Sequence, residues 1–239
     1  MLLPGEVGQA LPLHHASVGQ LESQTRYYYQ VGRKGLYRDS VFSFRTPVAP
    51  GVAPKKGVRP EVAANPDHPP LTIYTIGDIG QTDNSLRTRD MILSRYGQTA
   101  GEGFALIIGD LAYADGGADR WDSFGRLMEP LLSAMPLMVL PGNHEIEVDA
   151  THETFLPYRH RYNMPEVLPE KTAPIRNGMW KGRPVADMSY EGGSSFYSFE
   201  VGYVHFLMLN TYDTHGGLDG NENAQAEFAA ADLASERLA

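Results

Sequence analysis

Three short segments of the chain carry side chains that could bind metal ions or transfer protons. They are Gly77-Asp78-Ile79-Gly80, Gly109-Asp110-Leu111-Ala112-Tyr113 and Gly142-Asn143-His144-Glu145. Each follows a short apolar run that predicts a buried strand, so each lies where a strand ends and a loop begins. Hard oxygen ligands gathered at one edge of a sheet indicate a site for highly charged metal ions. Two such ions about 3.5–4 Å apart are a recurring device for cleaving phosphate esters.

The residue types in these segments differ in what they could contribute. Asp78 and Asp110 would supply negative charge, and a carboxylate such as that of Asp110 has two oxygens that could bridge two metals. Asn143 offers a neutral carbonyl oxygen. Tyr113, ionised as a phenolate, would favour a hard trivalent ion such as Fe³⁺. His144 could hydrogen-bond a substrate phosphate or protonate a leaving group.

The chain from residue 71 onward has the pattern of an α/β domain. Apolar runs predict strands over residues 71–76, 104–108 and 137–140, and helical spacing predicts helices over 84–96 and 120–133. This alternation predicts a parallel sheet covered on both faces, and ligands bind outside the carboxyl ends of such strands. A long irregular stretch over about 145–195 is expected next. Two further strands over 195–201 and 203–209 and a helix over 222–238 then follow.

The front of the chain has a different character. Residues 18–46 contain aromatic and alternating runs that predict strands, and residues 47–70 contain seven prolines that block helix and central strand. The motifs Leu-x-x-x-Thr-x-Tyr-x-Tyr and Phe-x-Phe-x-Thr-Pro resemble the last strands of fibronectin type III domains. The alternative is a free-standing hairpin packed on the main domain.

Composition excludes several classes of function. The formal net charge of −9 over 239 residues argues against general nucleic-acid binding. No apolar run approaches the roughly 18–20 residues that a membrane span needs. The absence of cysteine excludes disulfides and thiolate metal sites. The first residues have no basic region followed by an apolar core, so no signal peptide is expected.

The three segments occur in this order, and each follows a predicted strand. Together they resemble the purple acid phosphatases within the calcineurin-like metallophosphoesterases. The resemblance runs from about Leu21 onward and includes Gly80-Gln81-Thr82, Tyr113-Ala114-Asp115, Arg120-Trp121-Asp122, Phe124-Gly125-Arg126, Gln225 and Asp232-Leu233. It implies an α/β metallophosphoesterase-type αββα sandwich, preceded by the last strands of a fibronectin type III-like β-sandwich. The implied divisions are the sandwich remnant at 1–46, a Pro-rich linker at 47–70 and the first part of the metallophosphoesterase domain at 71–239.

The resemblance also implies a role for each candidate residue. Asp78 and Tyr113 would bind a ferric ion, and Asp110 would bridge it to a divalent Zn, Fe or Mn ion. Asn143 would bind the divalent ion, and His144 would be the catalytic residue that contacts the phosphate or leaving group. In the family a metal-bound hydroxide attacks a phosphate monoester in line. Charge transfer from tyrosinate to Fe³⁺ gives the purple colour and separates this family from related phosphodiesterases.

Two later family motifs, Val-x-x-His and Gly-His-x-His, do not occur in the 239 residues. They would supply three of seven ligand residues, so we expect a chain truncated at both ends and impaired as an acid phosphatase on its own. The alternatives are a non-catalytic module with a degenerate metal site and a metallophosphodiesterase, which Tyr113 disfavours. The expected partner is a small phosphate monoester rather than nucleic acid or membrane, and a homodimer is left open. A secreted or vacuolar location rests on the resemblance alone.

Two further residues have simpler interpretations. His205 lies in the middle of a predicted strand among apolar neighbours, so we expect a hydrogen-bonded residue of the core or sheet face rather than a metal ligand. Glu145 follows His144 directly, and the sequence leaves open whether it supports the site or lies at the surface.

Overall fold

The computed structural model describes most of the chain and shows an ordered arrangement of helices and strands. Within the described residues, no helix is both long enough and apolar enough to cross a membrane. These residues are 13–33, 35–37, 40–51, 71–99, 103–147, 155–167, 174–175, 178–180, 183–185, 188–189, 194–202, 204–210 and 224–235.

A small antiparallel hairpin forms the front of the chain, as the aromatic runs predict. Strand β1 (Arg26–Tyr29) pairs with β4 (Phe42–Arg45), and the two-residue strands β2 (Gly32–Arg33) and β3 (Leu36–Tyr37) pair between them. One face is an aromatic cluster in which the rings of Tyr29 lie 5.4 Å from Phe42 and 6.0 Å from Phe44. The relation to a fibronectin type III sandwich stays a prediction.

The centre of the fold is a three-stranded parallel sheet whose strand order follows the chain. Strands β5 (Ile73–Ile76), β6 (Phe104–Ile108) and β7 (Leu137–Leu140) lie side by side in that order. Helix α1 (Asp83–Gln98) follows β5, and helix α2 (Ala118–Leu132) follows β6. Because consecutive strands are neighbours, the three loops that leave their carboxyl ends emerge next to one another.

Helices α1 and α2 each have an apolar face, and α1 also begins at a side-chain cap. The side chain of Thr82 caps α1 by accepting a hydrogen bond from the Ser85 amide, and the Ser85 hydroxyl accepts one from the Thr82 amide. Their inward faces join the sheet in one buried cluster. Its members on α1 and α2 are Ile92, Tyr96, Trp121, Phe124, Met128 and Leu131.

The stretch predicted as irregular contains short elements, so that prediction is wrong in detail. A 3₁₀ turn spans Asn143–Glu145, and helix α3 spans Leu156–Arg161. Strands β8 (Pro174–Ile175), β9 (Gly178–Trp180), β10 (Arg183–Val185) and β11 (Met188–Ser189) pair as β9–β10 and β8–β11. Elements of two to six residues are too short to produce a recognisable period in the sequence.

A second layer of strands covers the other face of the parallel sheet. Strands β12 (Tyr197–Val201) and β13 (Val204–Met208) form an antiparallel hairpin whose inward side chains pack on β5, β6 and β7. Helix α4 (Ala224–Ala234) lies on the outer side, where Asp232 accepts hydrogen bonds from the Ser198 hydroxyl at 2.7 Å and bonds His205 Nε2 at 2.5 Å. The expectation that His205 is a hydrogen-bonded sheet-face residue is therefore confirmed. The layers follow the order helix, sheet, sheet, helix.

Candidate metal centre

The structure brings the predicted site residues together at the carboxyl ends of the parallel strands. Asp78, Asp110 and Asn143 line one pocket of about 540 Å³. Another wall is formed by the end of β13 and the residues after it, namely Leu207, Met208, Leu209 and Asn210. Tyr113 lies beside this pocket, because its hydroxyl donates a hydrogen bond to Asp78 Oδ1 at 3.1 Å.

The loops after β5 and β6 are joined by hydrogen bonds that continue the sheet beyond its strands. The amide of Asp78 donates to the carbonyl of Gly109 at 3.2 Å, and the amide of Gly80 donates to that of Leu111 at 3.0 Å. The side-chain amide of Gln81 donates to the carbonyl of Ala112 at 2.8 Å. These bonds fix the first aspartate relative to the second.

Three of the four candidate ligands, and Asp115 beside them, have φ angles in the left-handed region. Asp78, Asp110, Tyr113 and Asp115 have φ angles of 53°, 52°, 50° and 50°. Non-glycine residues seldom occupy this region, although aspartate does so more readily than tyrosine. Such residues cluster at functional sites, where the surrounding structure holds them in place.

The loop after β7 comes unusually close to Asp110. A Cβ atom on Gly142 would overlap with the carboxylate and the backbone nitrogen of Asp110, so only glycine fits there. This proximity allows a direct hydrogen bond between the loops, in which the amide of His144 donates to Asp110 Oδ1 at 2.9 Å. The second and third loops therefore touch directly at the predicted bridging aspartate.

The imidazole of His144 is held from two sides. Its Nδ1 lies 2.8 Å from Asp115 Oδ1, and its ring lies 4.1 Å from the ring of Tyr113, measured between centroids. When Nδ1 carries the proton and donates to Asp115, Nε2 is left to act on a substrate. Sequence reasoning gave no role to Asp115, although it follows Tyr113 by only two residues.

Tyr113 carries its proton when no cation is bound. Burial, the hydrogen bond to Asp78 and the negative charges of Asp110, Asp78 and Glu145 together raise the pKa of Tyr113 to about 12. A strong cation would reverse this balance by stabilising the phenolate. The tyrosine is therefore suited to a highly charged ion rather than to a weakly held one.

Glu145 is completely buried, so the surface interpretation of this residue is wrong. Its carboxylate accepts hydrogen bonds from the amides of Asp110, Leu111 and Gly142 at 2.8–2.9 Å. Burial raises the pKa of Glu145 to about 7, although the three amides act in the opposite direction. Nothing local in the sequence shows these partners, because two of them lie more than thirty residues earlier in the chain.

Glu147, two residues further on, supports the same region and was not singled out by the sequence. It is 4% exposed and accepts hydrogen bonds from the amide of Gly116 at 2.7 Å and from Trp121 Nε1 at 3.0 Å. It therefore joins the loop that contains Asp115 to the start of α2.

The donor set fits hard metal ions. Two carboxylates, a phenol and an amide oxygen are the ligand types that prefer highly charged, oxygen-seeking cations. Among the residues described above, no group of three or more His, Cys, Asp or Glu side chains forms a metal site of its own. The candidate centre consequently depends on Tyr113 and Asn143 as well as on its two aspartates.

Comparisons with known proteins agree with the fold described above. The sequence profile of the calcineurin-like phosphoesterases matches residues 71–232. Purple acid phosphatase 21 of Arabidopsis thaliana is 35% identical over 202 residues, covering 84% of this chain and 36% of that protein. The Fe(3+)-Zn(2+) purple acid phosphatase 12 of the same plant is 34% identical over 212 residues, covering 85% and 36%. The structure of purple acid phosphatase PPD1 from yellow lupin seeds matches with a TM-score of 0.57 at 21% identity, over 90% of this chain and 34% of that one.

The layered fold and the profile match define an α/β protein of the metallophosphoesterase class. The chain belongs to the calcineurin-like phosphoesterase family, and the resemblance to purple acid phosphatases seen in its sequence is confirmed. It spans only 36% of the length of Arabidopsis purple acid phosphatases 21 and 12.

Proposed function

We propose that this chain supplies one part of the dinuclear metal centre of an acid phosphatase that hydrolyses phosphate monoesters. The observation that carries the proposal is the meeting of Asp78, Asp110, Tyr113 and Asn143 at the ends of three neighbouring strands. The relative named as an Fe(3+)-Zn(2+) enzyme supports a mixed pair of ions. When bound, Fe³⁺ and a divalent Zn, Fe or Mn ion supply Lewis acidity and neutralise negative charge on the phosphoryl group.

Each residue then has a defined task. Asp78 and Tyr113 would hold the ferric ion, Asp110 would be shared by both ions, and Asn143 would hold the divalent ion. His144 hydrogen-bonds the phosphate or gives a proton to the leaving group. Its orientation is kept by the Nδ1 contact with Asp115 at 2.8 Å. The apolar pocket wall leaves room for the organic part of a small ester.

The test measures a visible absorption band and the hydrolysis of two phosphate esters. The protein is loaded with Fe³⁺ and Zn²⁺ and assayed at acid pH with p-nitrophenyl phosphate, a monoester, and with bis(p-nitrophenyl) phosphate, a diester. We expect a visible tyrosinate–Fe³⁺ band and only weak hydrolysis of the monoester, because these residues supply only part of the centre. The band should vanish in Tyr113→Phe, and both signals should vanish in Asp110→Ala.

The matched control is Asp90→Ala, since Asp90 is an exposed aspartate on α1 whose side chain, among the described residues, bonds its neighbour Arg89 alone. This variant should keep both signals. Unchanged signals in Asp110→Ala would refute the bridging role. Hydrolysis of the diester alone would indicate a phosphodiesterase, and ion binding without any hydrolysis would indicate a non-catalytic module.

A further inference from the structure

We infer that Glu145 is a positioning residue of the metal centre, whose buried carboxylate sets the distance between the loop of Asp110 and the loop of Asn143. The inference rests on the proposed function, because it assigns the geometry of that same centre to a residue that binds no ion itself.

The contacts of Glu145 connect two loops at a single point. Its Oε2 accepts the amide of Asp110 at 2.9 Å and the amide of Gly142 at 2.8 Å. Its Oε1 accepts the amide of Leu111 at 2.9 Å. One oxygen therefore joins the backbone of a predicted ligand to the residue that precedes another predicted ligand, Asn143. The distance between these two backbones cannot change without breaking a hydrogen bond.

Burial makes this connection rigid. Glu145 is 0% exposed, so no water can replace its amide partners. Hydrogen bonds from amides to a carboxylate are shorter and stronger than those between neutral groups. The connection also supports the left-handed backbone of Asp110, whose φ is 52°.

A second hydrogen bond between the same loops closes a ring around the bridging aspartate. The amide of His144 donates to Asp110 Oδ1 at 2.9 Å. Glu145 thus fixes the backbone of Asp110, while His144 fixes one of its carboxylate oxygens. The remaining freedom of the Asp110 side chain is small, as a ligand shared by two ions requires.

Glu147 provides a control for a purely structural effect. It lies two residues away, is 4% exposed and also accepts hydrogen bonds from buried partners. Its partners, Gly116 and Trp121, are not predicted ligands. Loss of either carboxylate should lower the stability of the fold, but only loss of Glu145 should change the metal centre.

The experiment measures ion affinity and unfolding separately in the full chain. The wild type, Glu145→Gln, Glu145→Asp and Glu147→Gln are titrated with Fe³⁺ delivered as its nitrilotriacetate complex, followed by the visible band, and with Zn²⁺, followed by calorimetry. Thermal unfolding of each protein is recorded alongside. Glutamine keeps the shape but turns an NH₂ group towards at least one amide. Aspartate keeps the charge but withdraws the carboxylate by one methylene.

We expect Glu145→Gln and Glu145→Asp to bind both ions about 10- to 100-fold more weakly, the usual effect of removing a partner that orients metal ligands. Glu147→Gln should unfold at a lower temperature and keep the wild-type affinity. The aspartate variant separates position from charge and serves also if the glutamine variant does not fold.

Wild-type affinity in Glu145→Asp would overturn the inference, because charge alone would then account for any loss in the glutamine variant. Equal weakening in Glu147→Gln would also overturn it. Failure of the proposed function is distinguishable, since the wild type itself would then bind neither ion and show no band.

Discussion

At the scale of single residues, the site depends on the absence of a side chain at Gly142. Gly142 has a φ of −107°, an angle that any residue can adopt, so its role is not conformational. Because Gly142 has no side chain, the carboxylate of Asp110 can occupy the space beside it. The smallest side chain at this position would separate the two loops or displace the aspartate.

We therefore predict that Gly142→Ala damages both stability and ion binding. Overpacking of this kind costs about 1–3 kcal/mol, which lowers the melting temperature by several degrees in a domain of this size. Binding of Fe³⁺, followed by the visible band, should be lost or strongly weakened. Thermal unfolding and the same Fe³⁺ titration measure the two effects.

Gly125→Ala is the matched control. Gly125 lies within α2, and no described atom beyond its own chain neighbours and helix backbone lies within 4 Å of where its Cβ would be. Alanine is the better helix former by about 0.5–1 kcal/mol, so this variant should be slightly more stable with unchanged ion affinity. Equal behaviour of the two variants would contradict the role assigned to Gly142.

At the scale of elements, helix α4 determines where one wall of the pocket lies. Gln225 on α4 accepts the amide hydrogen bond of Asn210 at 2.6 Å and donates to its carbonyl at 3.0 Å. Both residues are buried, and Asn210 follows β13 at the edge of the pocket. The contact of Asp232 with His205 holds the other end of the same helix against β13.

Gln225→Ala should loosen this wall without disturbing the parallel sheet. Two buried backbone groups of Asn210 would lose these partners, at about 1–3 kcal/mol for each group left unsatisfied. Amide hydrogen exchange should accelerate at Asn210 and stay slow in β6. The exposed Glu227 on the same helix gives the control Glu227→Ala, which should leave the exchange of Asn210 unchanged. Unaltered protection of Asn210 in Gln225→Ala would show that the wall is held by something else.

At the scale of the whole molecule, the front hairpin is attached to the end of the sandwich opposite the candidate site. The hydroxyl of Tyr29 donates to the carbonyl of Ser133, just before β7, at 2.9 Å. The turn between β12 and β13 is held from the same side, since Gly202 accepts from the amide of Gly51 and donates to the carbonyl of Val48. The front segment thus joins both strand layers where β7 and β13 begin.

Tyr29→Phe should lower stability while leaving the metal centre intact. Loss of one hydrogen bond costs about 0.5–1.5 kcal/mol, and a melting temperature lower by a few degrees is expected. Tyr28→Phe is the control, because Tyr28 is 71% exposed in the same strand and should have no effect. A change in Fe³⁺ affinity in Tyr29→Phe would contradict the separation of the two ends.

The parts of the fold that the sequence predicts best are those with strong local causes. The strands at 104–108 and 137–140 match the structure residue for residue, because they are apolar runs bounded by turns. Helices α1 and α2 are found with ends shifted by one or two residues, because helix ends are set by caps such as Thr82 and not by the apolar pattern alone. The predicted ends of the last helix, at 222 and 238, lie outside the described residues. Elements as short as α3 carry no such pattern.

The parts that the sequence does not predict are contacts between distant segments. The positions of Asp78, Asp110, Tyr113 and Asn143 follow from parallel strands that end at one edge. The burial of Glu145 and Glu147 does not, because their partners come from other loops and a lone glutamate usually indicates surface. The role of the four proposed ligands stays a prediction until ions are bound.

The positive φ angle of Asp78 affects how this residue would be retained during evolution. Glycine adopts this conformation without steric cost, so replacing Asp78 by glycine would relieve its backbone while removing a proposed metal ligand. Selection for folded protein alone would therefore oppose the loss of this residue only through its hydrogen bond with Tyr113. Under the proposed function, selection for chemistry preserves the aspartate at position 78 more strongly than selection for folding does.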